Sequence, residues 1–274
     1  MSDNPYSEPV AQLLTLGEPD IDNWLDYESL GIHAEHIPEL IRLVEEDPLR
    51  MELPSDDPAV FTTVHAWRAL GQLKAEAAVP ALIGLFKAGD ADLDNDVDDW
   101  VAEELPGVFG MIGPACIPAL VSYLEIPHKE KIWGAVAAST SLLEIGQTYP
   151  ETRLEIIQAL SHKLENYAEN DPDLNGFIIS DLANLKATEA GPLVERAFAS
   201  GHVDNMIMGD SEDFQVAVGL LAKRTTPKEK IDFPFSPSRE LFETGGSVRK
   251  EDKKTKNKRK QEKQSRKKNR KKKK

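Results

Sequence analysis

One apolar motif occurs five times along the chain, and its period constrains the fold more than any other feature. The copies are I-P-E-L-I-R-L-V with Pro38, V-P-A-L-I-G-L-F with Pro80, I-P-A-L-V-S-Y-L with Pro118, L-E-I-I-Q-A-L with Glu155 in the proline's place, and G-P-L-V-E-R-A-F with Pro192. These anchors lie 42, 38, 37 and 37 residues apart, a period that means stacked helix pairs. One residue before the anchor stand Ile37, Val79, Ile117, Leu154 and Gly191. Two after it stand Leu40, Leu82, Leu120, Ile157 and Val194, and five after it Leu43, Leu85, Tyr123, Leu160 and Ala197. Such offsets fall along one stripe of a helix. The proline is tolerated because first-turn amides have no intrahelical acceptor.

Each short helix needs a partner before it. The clearest covers residues 60–74, V-F-T-T-V-H-A-W-R-A-L-G-Q-L-K, with Asp57 suited to the N-cap and Pro58 to the first turn. The partners end alike, at Leu70-Gly71, Phe109-Gly110, Ile145-Gly146 and Ala183-Asn184, eight or nine residues before each anchor. Gly or Asn there fits either a left-handed helix end or close contact between helices.

The run A-L-G-x-L, a short turn, then A-V-P-A-L-I-x-L-F resembles the HEAT repeat, and within it the bacterial HEAT-like class named after phycobilisome lyases. The resemblance covers residues 32–200, with room for a sixth helix pair up to residue 225. The chain as a whole, including G-D-S-E-D-F at 209–214, is similar to uncharacterised bacterial HEAT-repeat proteins. The resemblance implies an all-α protein: an α-solenoid of about five stacked HEAT-like helix pairs, right-handed, with the short helices on one face and their partners on the other. Proteins with this repeat include chromophore lyases, adaptors and nucleic-acid enzymes, so the fold leaves the function open.

The expected organisation is an N-terminal capping segment at 1–31, repeats at 32–225, a Pro- and Gly-containing linker at 226–248 and a disordered Lys/Arg-rich tail at 249–274. A short helix around Val10–Leu16 is expected to shield the first repeat. The linker holds an apolar patch, Phe233–Phe235. From Arg249 onward there are 17 Lys and Arg against 3 Asp and Glu, a net +14, and the preceding 248 residues carry −28. A strongly acidic body thus bears a strongly basic tail, and the tail, with no apolar residue, cannot build a core.

The tail offers cations for polyanions: Lys253, Lys254, Lys256, Lys258, Arg259, Lys260, Arg266, Lys267, Lys268, Arg270 and Lys271. Binding of RNA or ribosomes through it would be salt-sensitive and nonspecific, because it has no aromatic residues for stacking on bases. A solubilising role and an intramolecular contact with the acidic body are the alternatives. The loop at 89–100 places Asp90, Asp92, Asp94, Asp96 and Asp98 at alternate positions. It fails as a calcium loop, since Val101 stands where a bidentate Glu is required, and is expected to be a solvated acidic loop, with a weak cation or partner site as the alternative and Asp98 and Asp99 capping the next helix. His33 and His36 are three residues apart with no third ligand evident. His65 is expected to be a satisfied core residue. Trp67, Trp100 and Trp133 are 33 residues apart but occupy inequivalent places relative to their anchors, so they are read as core or groove residues.

The lone cysteine, Cys116, lies in an apolar run and is expected in the core. No G-x-S-x-G, P-loop, H-E-x-x-H or dinucleotide fingerprint is present. No cofactor is expected. With no signal peptide and no run of about 20 apolar residues, the expected setting is soluble and cytoplasmic, away from membranes. The expected function is a non-catalytic scaffold that holds a protein partner on its acidic surface, with the tail as a tether to polyanions. The alternatives are a phycobilisome-lyase-type enzyme or chaperone for chromophore attachment, and nucleic-acid or ribosome binding through the tail.

Overall fold

A computed structural model describes residues 6–46, 53, 57–89, 96–128 and 132–228, and for residues 87–89 and 96–100 the backbone only. The described residues are all-helical, with no strand among them. The α-helices are α1 (Ile37–Glu46), α2 (Thr62–Gln72), α3 (Val79–Gly89), α4 (Asp96–Ile112), α5 (Ile117–Leu124), α6 (Trp133–Thr148), α7 (Arg153–Glu165), α8 (Pro172–Asn184), α9 (Gly191–Ala199), α10 (Asn205–Met208) and α11 (Ser211–Val218). They lie within one compact unit that closes at Thr226.

The five motif copies are α1, α3, α5, α7 and α9. Each follows a single 3-10 turn: Ala34–His36, Glu76–Ala78, Pro114–Cys116, Pro150–Thr152 and Thr188–Ala190. Four of these helices begin one residue before their proline. The apolar positions two and five residues past the anchor are buried in all five copies, each fully buried Leu, Ile or Val side chain contributing about 2 kcal/mol. The fourth copy departs at its start. Its helix begins at Arg153, two residues before Glu155, and Leu154 is 57% exposed where Val79 and Ile117 are buried. Here Arg153 secures the turn instead, donating from Nε to the Leu185 carbonyl and from Nη2 to the Lys186 carbonyl, each at 2.8 Å.

Packing follows two series. In one, α1, α3, α5, α7 and α9 are neighbours in succession; in the other, α2, α4, α6 and α8, with α10 and α11 against α8. The short helices α3 and α5 pack more extensively on the helix that follows (α4 and α6) than on the partner that precedes them, and α1 likewise packs on α2. The glycines at the partner ends serve close contact. Gly71, Gly110 and Gly146 are helical, and an added Cβ would stand 3.3 Å from Val108 Cγ1, 3.1 Å from Glu144 Cβ and 3.0 Å from Leu185 Cδ2 respectively. The left-handed residues come slightly later, at Lys74 (φ 50°), Gly113 (φ 98°) and Lys186 (φ 56°).

Residues 6–32 are laid over α1 and α2. Their short helix is a 3-10 turn, Val10–Thr15, with Val10 and Leu13 buried against α2 and the 3-10 turn Pro58–Phe61. Ser7 donates from its amide and hydroxyl to Glu39 of α1 at 2.8 and 2.7 Å. Asp57 accepts the Ala59 amide at 2.9 Å, the N-cap that its place before Pro58 suggests. Among the described residues no single helix is long and apolar enough to cross a membrane.

Candidate functional site

Helices α4, α6 and α8 each carry one stripe of half-buried and exposed residues. On α4 it is Glu103, Gly107 and Met111; on α6, Trp133, Thr140 and Glu144; on α8, Asp173, Phe177 and Ser180. The spacings of three, four and seven put each set on one helix face. Small residues, Gly107 and Thr140, hold the middle of the α4 and α6 stripes, and Ser180 ends that of α8. Trp133, at the start of the α6 stripe, is 55% exposed and meets Phe177 of α8 edge to face, ring centroids 5.9 Å apart. A large exposed aromatic side chain is more typical of an interaction surface than of a free one.

Beneath this face lies Asp181 of α8, 5% exposed. Its Oδ2 accepts a short hydrogen bond from the Ser139 hydroxyl of α6. Burial pushes its carboxyl up to about 7, with the Glu144 charge adding to the rise and the Ser139 hydroxyl opposing it. Among the described residues neither Asp181 nor Glu144 is paired with a cation.

One face of α2, with His65, Arg68 and Gln72, is closed. Residues 17–30 cover it, and a polar network lies beneath. Arg68 is fully buried and donates to both oxygens of Glu104 of α4, at 2.9 Å from Nε to Oε2 and more closely from Nη2 to Oε1. The Trp67 indole donates to the same Glu104 Oε2 at 3.1 Å. Arg68 also donates to the Asp20 carbonyl at 2.8 Å, and its guanidinium lies 4.5 Å from the centre of the Trp24 ring. Gln72 donates to the Leu25 carbonyl and accepts the Tyr27 amide. His65 uses both ring nitrogens. Nε2 lies 2.9 Å from the Gly17 carbonyl, which can only accept, so Nε2 carries the proton and Nδ1 accepts from the Tyr27 hydroxyl at 2.7 Å. Burial lowers the His65 pKa and raises that of Tyr27, so both stay neutral.

The expected site residues fall as follows. Asp90, Asp92 and Asp94 lie outside the described residues, as do the tail cations from Lys253 to Lys271 and the patch Phe233–Phe235. Asp96 and Asp98 are in the first turn of α4, which begins at Asp96, so Asp98 and Asp99 sit inside the helix rather than at its cap. The Trp100 side chain is not described. His36 Nδ1 accepts the His33 amide at 3.0 Å, so that nitrogen closes a turn. Among the described residues no group of three or more His, Cys, Asp or Glu could hold a metal ion. Cys116 is buried, and burial with the Glu76 charge pushes its thiol up to about 12, which leaves it unsuited to attach a chromophore.

The G-D-S-E-D-F run is a helix start. Gly209 (φ 100°) turns the chain, and Asp210 caps α11 in a capping box with Asp213. Arg224 returns to pair with Asp210 and Asp213, each at 2.7 Å, and its hydrogen bonds hold the Asp210 carboxyl down at about 2. The pairs Arg68–Glu104 and Ser139–Asp181 are not anticipated by the motif alignment, which follows apolar positions. Aligning the polar ones would have found them, since Arg68 and Asp181 both stand three residues before the Gly or Asn that ends the partner helix.

Residues 28–225 match a protein family described as a protein of unknown function, DUF1186. No curated protein and no solved structure matches the chain.

Proposed function

Since the chain belongs to the DUF1186 family, which assigns no chemistry in advance, we propose from its residues that it is a non-catalytic protein-interaction scaffold. In this reading the helix series are an α-solenoid of about five HEAT-like pairs, and the partner lies along the open face of α4, α6 and α8. One observation carries the proposal: Trp133 at the start of α6 is exposed and meets Phe177 of α8 edge to face, an aromatic pair on two neighbouring helices of the series. Association through such a face rests on shape and charge complementarity over an extended surface. The basic tail, at +14, adds a sequence-nonspecific tether to polyanions.

Affinity capture with three full-length proteins tests the scaffold: wild type, the face variant Trp133→Ala/Phe177→Ala, and a control on the other series, Gln158→Ala/Glu195→Ala. The expected result is a partner recovered by wild type and control and lost by the face variant. Equal recovery by all three would remove the open face from the reading. Deletion of residues 249–274 is expected to abolish RNA binding at low salt, and retention by the truncated body would exclude the tether.

A further inference from the structure

We propose that the Trp133–Phe177 ring pair, together with the Asp173 and Asp204 carboxyl groups beside it, binds the guanidinium group of an arginine carried on a partner protein. The proposal rests on the scaffold reading above and names the chemistry of what the aromatic pair accepts.

These residues are joined by short steps. The Trp133 and Phe177 rings meet with their centroids 5.9 Å apart. Phe177 follows Asp173 by four residues on α8, so the two share a face with about 5–6 Å between their Cβ atoms. Asp204 lies against the first turn of α8. Its amide donates to the Pro172 carbonyl at 3.1 Å, and its carboxyl shares a hydrogen bond with that of Asp173. The group therefore spans only the start of α6, the first two turns of α8 and the entry to α10.

This corner is rich in carboxyl groups and poor in cations. Asp171 caps α8 by accepting the Asp173 amide at 2.9 Å, and Asp204 caps α10 by accepting the Met206 amide at 2.7 Å. Burial raises the Asp173 pKa, and the Asp171 and Asp204 charges add to the rise. Among the described residues no lysine or arginine pairs with any of the three. The helix starts account for the capping carboxyls, but not for an indole left 55% exposed next to them. Both features call for one kind of ligand, because a ring face attracts a cation and a carboxylate pairs with it.

The chain satisfies the same combination internally at Arg68. That guanidinium pairs with Glu104 and lies 4.5 Å from the centre of the Trp24 ring. At the α6–α8 corner the rings and carboxyls are present, and the cation comes from another molecule. The acidic body, at −28, favours a basic partner. Guanidinium is preferred to ammonium because it is planar, stacks on aromatic rings, sheds water more readily and can engage carboxyl oxygens through two N–H groups at once.

The test uses full-length protein and three blocked Gly/Ser nonapeptides with a central arginine, lysine or citrulline, the last an uncharged isostere of arginine. Binding is followed by the NMR signal of the Trp133 indole N–H, assigned with Trp133→Phe. The expected result is a saturable shift with arginine, about threefold weaker affinity for lysine, and no shift with citrulline. Asp173→Asn should weaken the arginine peptide about fivefold, and Asp204→Asn should act in the same direction, while Glu195→Gln on α9 changes nothing. Both asparagine variants keep the fold: Asp173→Asn removes repulsion from Asp171 and Asp204, and asparagine caps a helix as well as aspartate does. Absence of a shift with arginine, equal affinity for lysine, a citrulline response equal to that of arginine, or arginine affinity unchanged by Asp173→Asn would overturn the proposal. The scaffold reading fails separately, when the Trp133→Ala/Phe177→Ala variant still captures its partner. If that variant loses the partner while the arginine peptide does not bind, only the arginine proposal falls.

Discussion

Asp181 and Cys116 are both buried ionisable groups, and they lead to different measurements. The Asp181 carboxyl sits at about 7 in the folded protein against 3.8 for the free group. Folding therefore favours its protonated form. Its contribution is fully present below pH 3.8 and is lost as pH rises through 7, because the unfolded chain ionises first. Relative to Asp181→Asn, wild type should lose about 3 kcal/mol of stability between pH 4 and pH 8. Urea unfolding at both pH values checks this, and a constant difference between the two proteins would contradict it. His65 acts in the opposite sense: its lowered pKa makes stability fall as pH drops below 6.5, in wild type and variant alike. Cys116, held near 12 and out of solvent, should resist thiol reagents until the protein unfolds. Labelling at the native rate of an exposed thiol would exclude the core placement. The core place of Cys116 and His65 was legible from their apolar surroundings. That of Asp181 was not, because a single charge among apolar residues looks the same whether it faces solvent or the next helix.

Among the helices, glycine position separates contact from freedom. Gly146 of α6 lies where an added Cβ would stand 3.0 Å from Leu185 Cδ2 and 3.2 Å from Ile156 Cδ1, and Gly84 of α3 has nothing within 4 Å. Gly146→Ala should cost about 1–3 kcal/mol through overpacking, whereas Gly84→Ala should gain about 0.5–1 kcal/mol from helix propensity. Thermal or urea unfolding of the two variants decides it, and effects of the same sign would refute the packing account. The motif fixed where these helices start, and the prolines did so through φ alone. The choice between a left-handed end and a close contact lay beyond sequence, because glycine permits both. Neighbouring side chains resolved it in favour of contact, with the left-handed conformation falling to Lys74, Gly113 and Lys186 instead. The exposed Leu154 has a similar origin. Its spacing matches the stripe, but the extra residue at the start of α7 turns it outward.

On the scale of the compact unit, the N-terminal cover is joined to the helices through polar groups that hydrophobic patterning cannot see. Arg68 links α2, α4 and residue 20 at once. Glu104→Gln would leave its guanidinium buried without a full counter-charge and should cost about 3 kcal/mol. A loss below about 0.5 kcal/mol, within the range of ordinary surface changes, would show that the pair is not essential to the cover. The repeat order was readable from five apolar copies, but the cover was expected only as a short cap on the end.

The cover has a direction. Its attachments on α2 advance in step with the chain: Gly17 meets His65, Asp20 meets Arg68, and Leu25 and Tyr27 meet Gln72. Under a pull on its N-terminal end these links are loaded one after another rather than together. The segment therefore peels like a zip, giving way at low force in small steps, while the helices behind it bear load as a block.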